Sequence, residues 1–185
     1  HPQKGVDLLL EAWKAVTARL PQAWLVLVGD GPAREQLTRQ SRNLPEPRRI
    51  VWLGPRQDVI ALMKTADLLV LPSRWEGMPN VILEAMACGL PVVATRVEGS
   101  SELVAPQETG WLVAADDASA LASALMEALG NPALRHRLGR NGRDRVESLY
   151  SPARTTEAYE QLWSKLLTPQ EKIKKSGQES QNWQF

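Results

Sequence analysis

The feature that most limits how this chain folds is a series of short apolar runs, none alternating with polar residues, each divided from the next by helical periodicity. The runs are Trp24 to Val28, Ile50 to Leu53, Leu68 to Leu71, Pro91 to Ala94 and Trp111 to Val113. A strand without a polar side is covered on both faces, the condition of a parallel sheet sandwiched by helices. Between the runs, Leu8, Leu9, Ala12, Trp13, Val16 and Leu20 recur at helical spacing, and Pro21 stops that helix. Further helices are predicted from about Ala33 to Ser41, from Asp58 to Thr65, from Pro79 onward, and near Ala118 to Leu129, Ala133 to Glu147 and Pro152 to Leu167. The expected class is α/β, a doubly wound parallel sheet.

Ligands of such sheets bind beyond the carboxyl ends of the strands, near the point where strand order reverses. Three loops follow strands directly, Gly29 to Pro32, Pro72 to Gly77 and Thr95 to Ser101, and are expected to meet at one crevice. The second runs into Arg74 to Gly89, RWEGMPNVILEAMACG, with Glu76 in the loop and Glu84 eight positions later on the helix. Pro79 suits a first helical turn, and Val81, Ile82, Ala85 and Met86 then face inward. Unpaired N–H groups and the positive dipole end at that terminus suit a pyrophosphate, and Gly77 lets it approach the backbone closely. Carboxylates accept two hydrogen bonds at once, so vicinal sugar hydroxyls are natural partners for Glu76 and Glu84. Eight helical residues separate such a pair by about 12 Å, roughly the reach of a nucleotide sugar. Taken singly, a helical glutamate is more often solvated or capping, and the E-x7-E spacing arises by chance. The position after a buried strand favours the binding reading.

Composition removes several function classes. The 185 residues fit one domain, 1–167, with a polar and aperiodic tail over 168–185 that is expected to be disordered. Lys and Arg number 22 against 21 Asp and Glu, a formal charge of +1, so no basic field favours nucleic acid. The lone cysteine, Cys88, excludes an internal disulfide, is expected to be small and buried, and points to a reducing, cytoplasmic setting. No apolar run approaches the roughly 20 residues of a membrane span, though peripheral membrane contact stays open. With histidines only at His1 and His136 and no clustered ligands, neither histidine chemistry nor a metal site is supported. Asp116-Asp117 is read as a helix cap, and the arginine-rich stretch Arg135 to Arg145 as a solvated face. Trp13, Trp24, Trp52, Trp111 and Trp163 are read as core, whereas Trp75 is divided between solvent and ligand.

The run WEGMPNVILEAMACGLPVVAT resembles the retaining glycosyltransferases of family four, which have the GT-B fold. QKGVDLLLEAW upstream, GDGP after a strand, and EGSSELV and TGWLV downstream extend the likeness over about residues 3–165. The resemblance implies one Rossmann-like half of such an enzyme, the C-terminal donor-binding domain, whose partner is an N-terminal acceptor domain not contained in these residues. It implies a UDP- or GDP-sugar as substrate and no tightly bound cofactor. Carried over by position, Glu76 faces the hydroxyls of the transferred sugar, Glu84 binds the ribose, and Lys4 offsets the leaving diphosphate. Gly77, Met78, Pro79, Asn80 and Val81 hold sugar and pyrophosphate. Trp52, Leu53 and Gly54 present backbone groups to the base, and Gly29 and Gly31 line the cleft floor. Two positions depart from the usual pattern, Glu98-Gly99 replacing Gly-Gly and Met78-Pro79 replacing Phe-Gly, and the place of the arginine that usually accompanies the lysine would fall before His1.

The leading expectation is therefore sugar transfer from a nucleoside diphosphate to a glycan, lipid or small-molecule acceptor, with no transfer by these residues without the acceptor half. A nucleotide-sugar epimerase of the same architecture and a non-catalytic binding module are the alternatives. The first predicts turnover without an acceptor, the second partner binding without transfer.

Overall fold

A computed structural model describes residues 2–167 of the chain, so the tail expected over 168–185 lies outside the described residues. Two compact units are present, one ending at Ser148 and the other beginning at Leu149.

In the first unit a 3-10 turn, Pro2–Lys4, leads into helix α1 (Val6–Arg19). This helix buries Leu8, Leu9, Leu10, Ala12, Trp13 and Val16, the stripe its periodicity predicts, and ends where Leu20 N–H bonds back to the Val16 carbonyl. Then follow β1 (Leu25–Val28), α2 (Arg34–Arg42), a second 3-10 turn, Pro47–Arg49, and β2 (Ile50–Gly54). After them come α3 (Val59–Thr65), β3 (Leu69–Leu71), α4 (Asn80–Ala87), β4 (Val92–Thr95), α5 (Ser100–Leu103) and β5 (Gly110–Val113). Helices α6 (Ala118–Gly130) and α7 (Pro132–Leu149) follow.

Every strand pairing is parallel, with Leu25 opposite Ile50, Leu69 opposite Val92 and Val92 opposite Gly110. The strands form two ladders, β1–β2 and β3–β4–β5, instead of one continuous sheet. The expectation that each run is covered on both faces fails in β1, where Val26 and Val28 are exposed, and a strand's own pattern does not tell which strand lies beside it. β4 is central in its ladder, and all four of its residues are buried. The core joins α1 and α6 through Leu10, Val16, Leu121 and Leu125, with Val93 and Trp111 from the sheet. Each such side chain contributes about 1.5–3 kcal/mol by leaving water.

Two of the five tryptophans expected in the core are not there. Trp24 is 59% exposed because it stands ahead of β1, not within it, and the Arg49 guanidinium lies over its ring at 5.3 Å from the centroid. Trp163 is also exposed, on α8 (Pro152–Leu167) of the second unit, a helix with no buried residue, where it meets Tyr159 at 6.0 Å between ring centroids. Cys88, expected to be buried, is only half-buried because it caps the end of α4. The segment from Thr95 to Ser101, read as loop, contains the start of α5, a helix too short for periodicity to reveal.

Candidate functional site

The carboxyl ends of β3 and β4 carry a chain of buried polar groups. Thr95, fully buried at the end of β4, donates its hydroxyl to the Ser73 carbonyl just past β3. The equally buried Ser73 donates its own hydroxyl to Glu76 Oε1 at 2.6 Å. Lys4 Nζ donates to the same oxygen, also at 2.6 Å, across 72 positions of sequence. The Glu76 side chain is 7% exposed and that of Lys4 49%, so the carboxylate lies inside and the lysine reaches it from the surface. A carboxylate this buried is tolerable only when paired and hydrogen-bonded, and the two donors meet that requirement. Both contacts fall on Oε1.

Lys4 is brought here by backbone fitting as well as charge. Gly5 has φ of +58°, and a Cβ on it would collide with the Pro72 carbonyl, so only glycine lets the turn lie against the β3–α4 loop. Arg74 completes the junction. Its Nη1 and Nη2 donate to the two Asp7 oxygens at 2.9 and 2.8 Å, its Nε to Asp116 Oδ1 at 2.7 Å, and its Nη1 also to the Pro2 carbonyl at 2.7 Å. Hydrogen bonding to Arg74 holds the Asp7 carboxyl below its ordinary value of 3.8, and the same contacts raise the Arg74 guanidinium. Asp116, in left-handed backbone at φ +56°, thus serves this junction, while Asp117 alone caps α6 by accepting from Ala120 N at 2.8 Å.

The turn after Glu76 is held from the other side. Gly99, at φ +70°, packs so closely on the Gly77 carbonyl that a Cβ would overlap it, and that Cβ would also reach Pro79 Cδ at 2.9 Å. Gly77 itself faces open space, with nothing near the position of a Cβ. Pro79, expected inside the first helical turn, stands one place ahead of α4. Ile82 N–H takes the Pro79 carbonyl at 2.9 Å, and the Asn80 and Val81 N–H groups precede this bond, without intrahelical acceptors. Gly77, Met78 and Asn80 are exposed. Ile82, Ala85 and Met86 are buried as expected and Val81 half-buried, which leaves Glu84 on the exposed side of α4.

The remaining candidate residues gather at the other ladder. Gly29 N–H bonds to the Gly54 carbonyl at 2.8 Å, and both glycines have positive φ, +115° and +69°. The Arg34 guanidinium covers Gly54, at 3.2 Å from where a Cβ would stand, and reaches Asp30 at 3.6 Å. Gly31 N–H bonds to Asp30 Oδ1 at 2.8 Å. Trp52 turns its indole N–H to Ser41 on α2 at 3.2 Å, and Leu53 is exposed. Thus the loops after β3 and β4 meet through Gly77 and Gly99, whereas the loop after β1 joins the end of β2. The sequence does not single out the roles of Ser73, Arg74, Thr95 and Asp7, and the cap expected of Asp116 falls to Asp117 alone. Only the position of Ser73 and Thr95 at strand ends signalled them.

Residues 1–145 match the family described as glycosyl transferases group 1, and the chain belongs to that family. It is 35% identical over 160 residues to the lipopolysaccharide core biosynthesis glycosyltransferase LpsE of Rhizobium meliloti, covering 86% of this chain and 46% of LpsE. The chain thus spans about half the length of the curated relatives it matches. Among solved structures, Alr3699/HepE of Anabaena in complex with UDP-glucose superposes with a TM-score of 0.79 at 29% identity, over 89% of this chain and 46% of that one. The fold also matches the C-terminal domain of the glycosyl transferase group 1 family protein LpcC from Francisella tularensis. That match has a TM-score of 0.76 at 24% identity and covers 82% of each chain. The α/β fold is therefore that of a Rossmann-like domain of GT-B glycosyltransferases. No helix among the described residues is long and apolar enough to cross a membrane.

Proposed function

We propose that this chain is the donor-binding domain of a cytoplasmic, retaining glycosyltransferase that moves a sugar from a nucleoside diphosphate to an acceptor bound by the other half of the enzyme. The observation that carries this reading is the contact of Lys4 with Glu76, a cation and a buried carboxylate brought together across 72 positions of sequence at the foot of an open helix terminus. Glu84 takes the ribose hydroxyls from the exposed side of α4. The Gly77 to Val81 backbone receives sugar and pyrophosphate, with the Asn80 and Val81 N–H groups as donors to phosphate oxygens. The base lies at the Trp52–Gly54 strand end, and Gly29 and Gly31 form the floor. In support, HepE, 29% identical, has been seen with UDP-glucose.

Transfer with retention passes through an oxocarbenium-like state in which negative charge grows on the departing diphosphate. The chain's task is to stabilise that charge with groups already in place. Lys4 supplies a mobile point charge, held ready by Glu76 until phosphate oxygens share it. Glu76 Oε1 is occupied by Ser73 and Lys4, so Oε2 is the atom that accepts from a sugar hydroxyl. No residue of this site is required as a general base if the leaving phosphate takes the acceptor proton.

The roles separate experimentally in the polypeptide that contains both halves. Glu76→Gln keeps shape but removes charge, and is expected to lower transfer by 10-fold or more, on the order of 1.5–3 kcal/mol, while nucleoside diphosphate affinity stays nearly unchanged. Equal loss in both measurements would break the assignment.

A further inference from the structure

The turn that carries Lys4 has no buried side chain, so apolar packing does not hold it. Besides the close fit of Gly5 on Pro72, what holds it is polar and centres on Arg74. Arg74 Nη1 takes the Pro2 carbonyl at 2.7 Å, Arg74 N–H takes the Gln3 carbonyl at 2.7 Å, and Gln3 Nε2 returns to the Trp75 carbonyl at 3.1 Å. The rest of the guanidinium is fixed from two further segments, by Asp7 in the first turn of α1 and Asp116 in the loop after β5. Three loops are thereby tied at one planar group, whose fork geometry suits several acceptors at once, as an ammonium's does not. Arg74 is 24% exposed on its side chain and lies two residues before Glu76.

We infer that Arg74 is a positioning residue for the diphosphate: by docking the Pro2–Lys4 turn onto the β3–α4 loop it sets the Lys4 ammonium beside Glu76, without itself touching the donor. The inference rests on the donor-site reading above. Its charge is already balanced by Asp7 and Asp116, which leaves Lys4 as the cation the phosphates meet. Without the guanidinium the turn keeps only the Arg74 N–H to Gln3 and Gln3 to Trp75 bonds and the Lys4–Glu76 contact, so Lys4 is held more loosely and binding must restrict it at its own expense.

The test is the preference for UDP over UMP, measured by calorimetry and repeated with GDP and GMP. A purely structural role weakens both ligands alike. The unaltered protein should favour the diphosphate, Lys4→Met should reduce that preference about 10-fold, and Arg74→Ala should reduce it to a similar extent. The double variant should lose no more than about 2-fold beyond Lys4→Met alone, since Arg74 acts through Lys4. Asp116→Asn, a change at an exposed loop position whose left-handed backbone suits asparagine, supplies a milder break of the clamp. It should reduce the preference about 3-fold, less than loss of the whole guanidinium. A folded Arg74→Ala with an undiminished diphosphate preference overturns the inference alone, as does Arg74→Ala unfolding together with an unchanged preference in Asp116→Asn. Absence of any nucleotide binding by the unaltered protein overturns the donor-site reading and this inference with it.

Discussion

Glu76 Oε1 receives two donors at 2.6 Å from residues 72 and 3 positions away, and the neighbouring residues decide whether that geometry persists. Gly99 is the least replaceable of them. Gly99→Ala places a methyl into the Gly77 carbonyl at a backbone angle that side chains resist, so the turn must move. A loss on the order of 2 kcal/mol in urea unfolding is expected, together with weaker nucleotide binding. Asp7 provides a pH signature. Its folded pKa lies below the unfolded 3.8, so its contribution is fully present above that value and disappears as pH falls through the lowered folded one. The stability gap between the unaltered protein and Asp7→Asn should stay constant from about pH 6 down to about pH 4 and close below it in thermal melts. A gap that narrows well above pH 4 would remove Arg74 as the cause. At this scale the spacing and the resemblance mark Glu76, Glu84 and Lys4 as candidates, and the structure brings Lys4 onto Glu76. Arg74 carries no such mark, since its hydrogen bonds to Asp7 and Asp116 join distant segments and leave no local pattern.

Elements show a different balance. Strands and long helices were legible because apolar runs, or apolar residues recurring at helical spacing, mark them, although β1 leaves Val26 and Val28 exposed where both faces were expected to be covered. Helix α1 and strand β4 illustrate the two cases. The helix α5 escaped notice because four residues, SSEL, carry no period. The division into two ladders escaped it because pairing is non-local. Trp24 was misplaced because an aromatic residue bordering an apolar run looks like part of it, although the chain has not yet entered the strand. Capping was legible: Asp117 accepts from Ala120 N at the start of α6, the helix that packs on α1. Asp117→Ala should therefore cost about 1 kcal/mol, seen as a lower urea midpoint at unchanged slope. An unaltered midpoint would mean that the cap carries no net stability.

For the whole molecule, the α/β class and the family were legible from motif order, while the identity of base, sugar and acceptor was not. On the proposed reading the base meets backbone groups, which almost any residue can present, and the chain spans only 46% of LpsE. The central claim is that Glu76 and Glu84 hold different parts of one nucleotide sugar. Titration calorimetry with UDP, GDP and ADP, on the unaltered protein and on Glu84→Ala, tests it most directly. One diphosphate should bind, and Glu84→Ala should weaken it by about 1.5–3 kcal/mol, the worth of charge-assisted bonds to hydroxyls. Silence from all three at millimolar concentration, or undiminished binding by Glu84→Ala, would contradict the account.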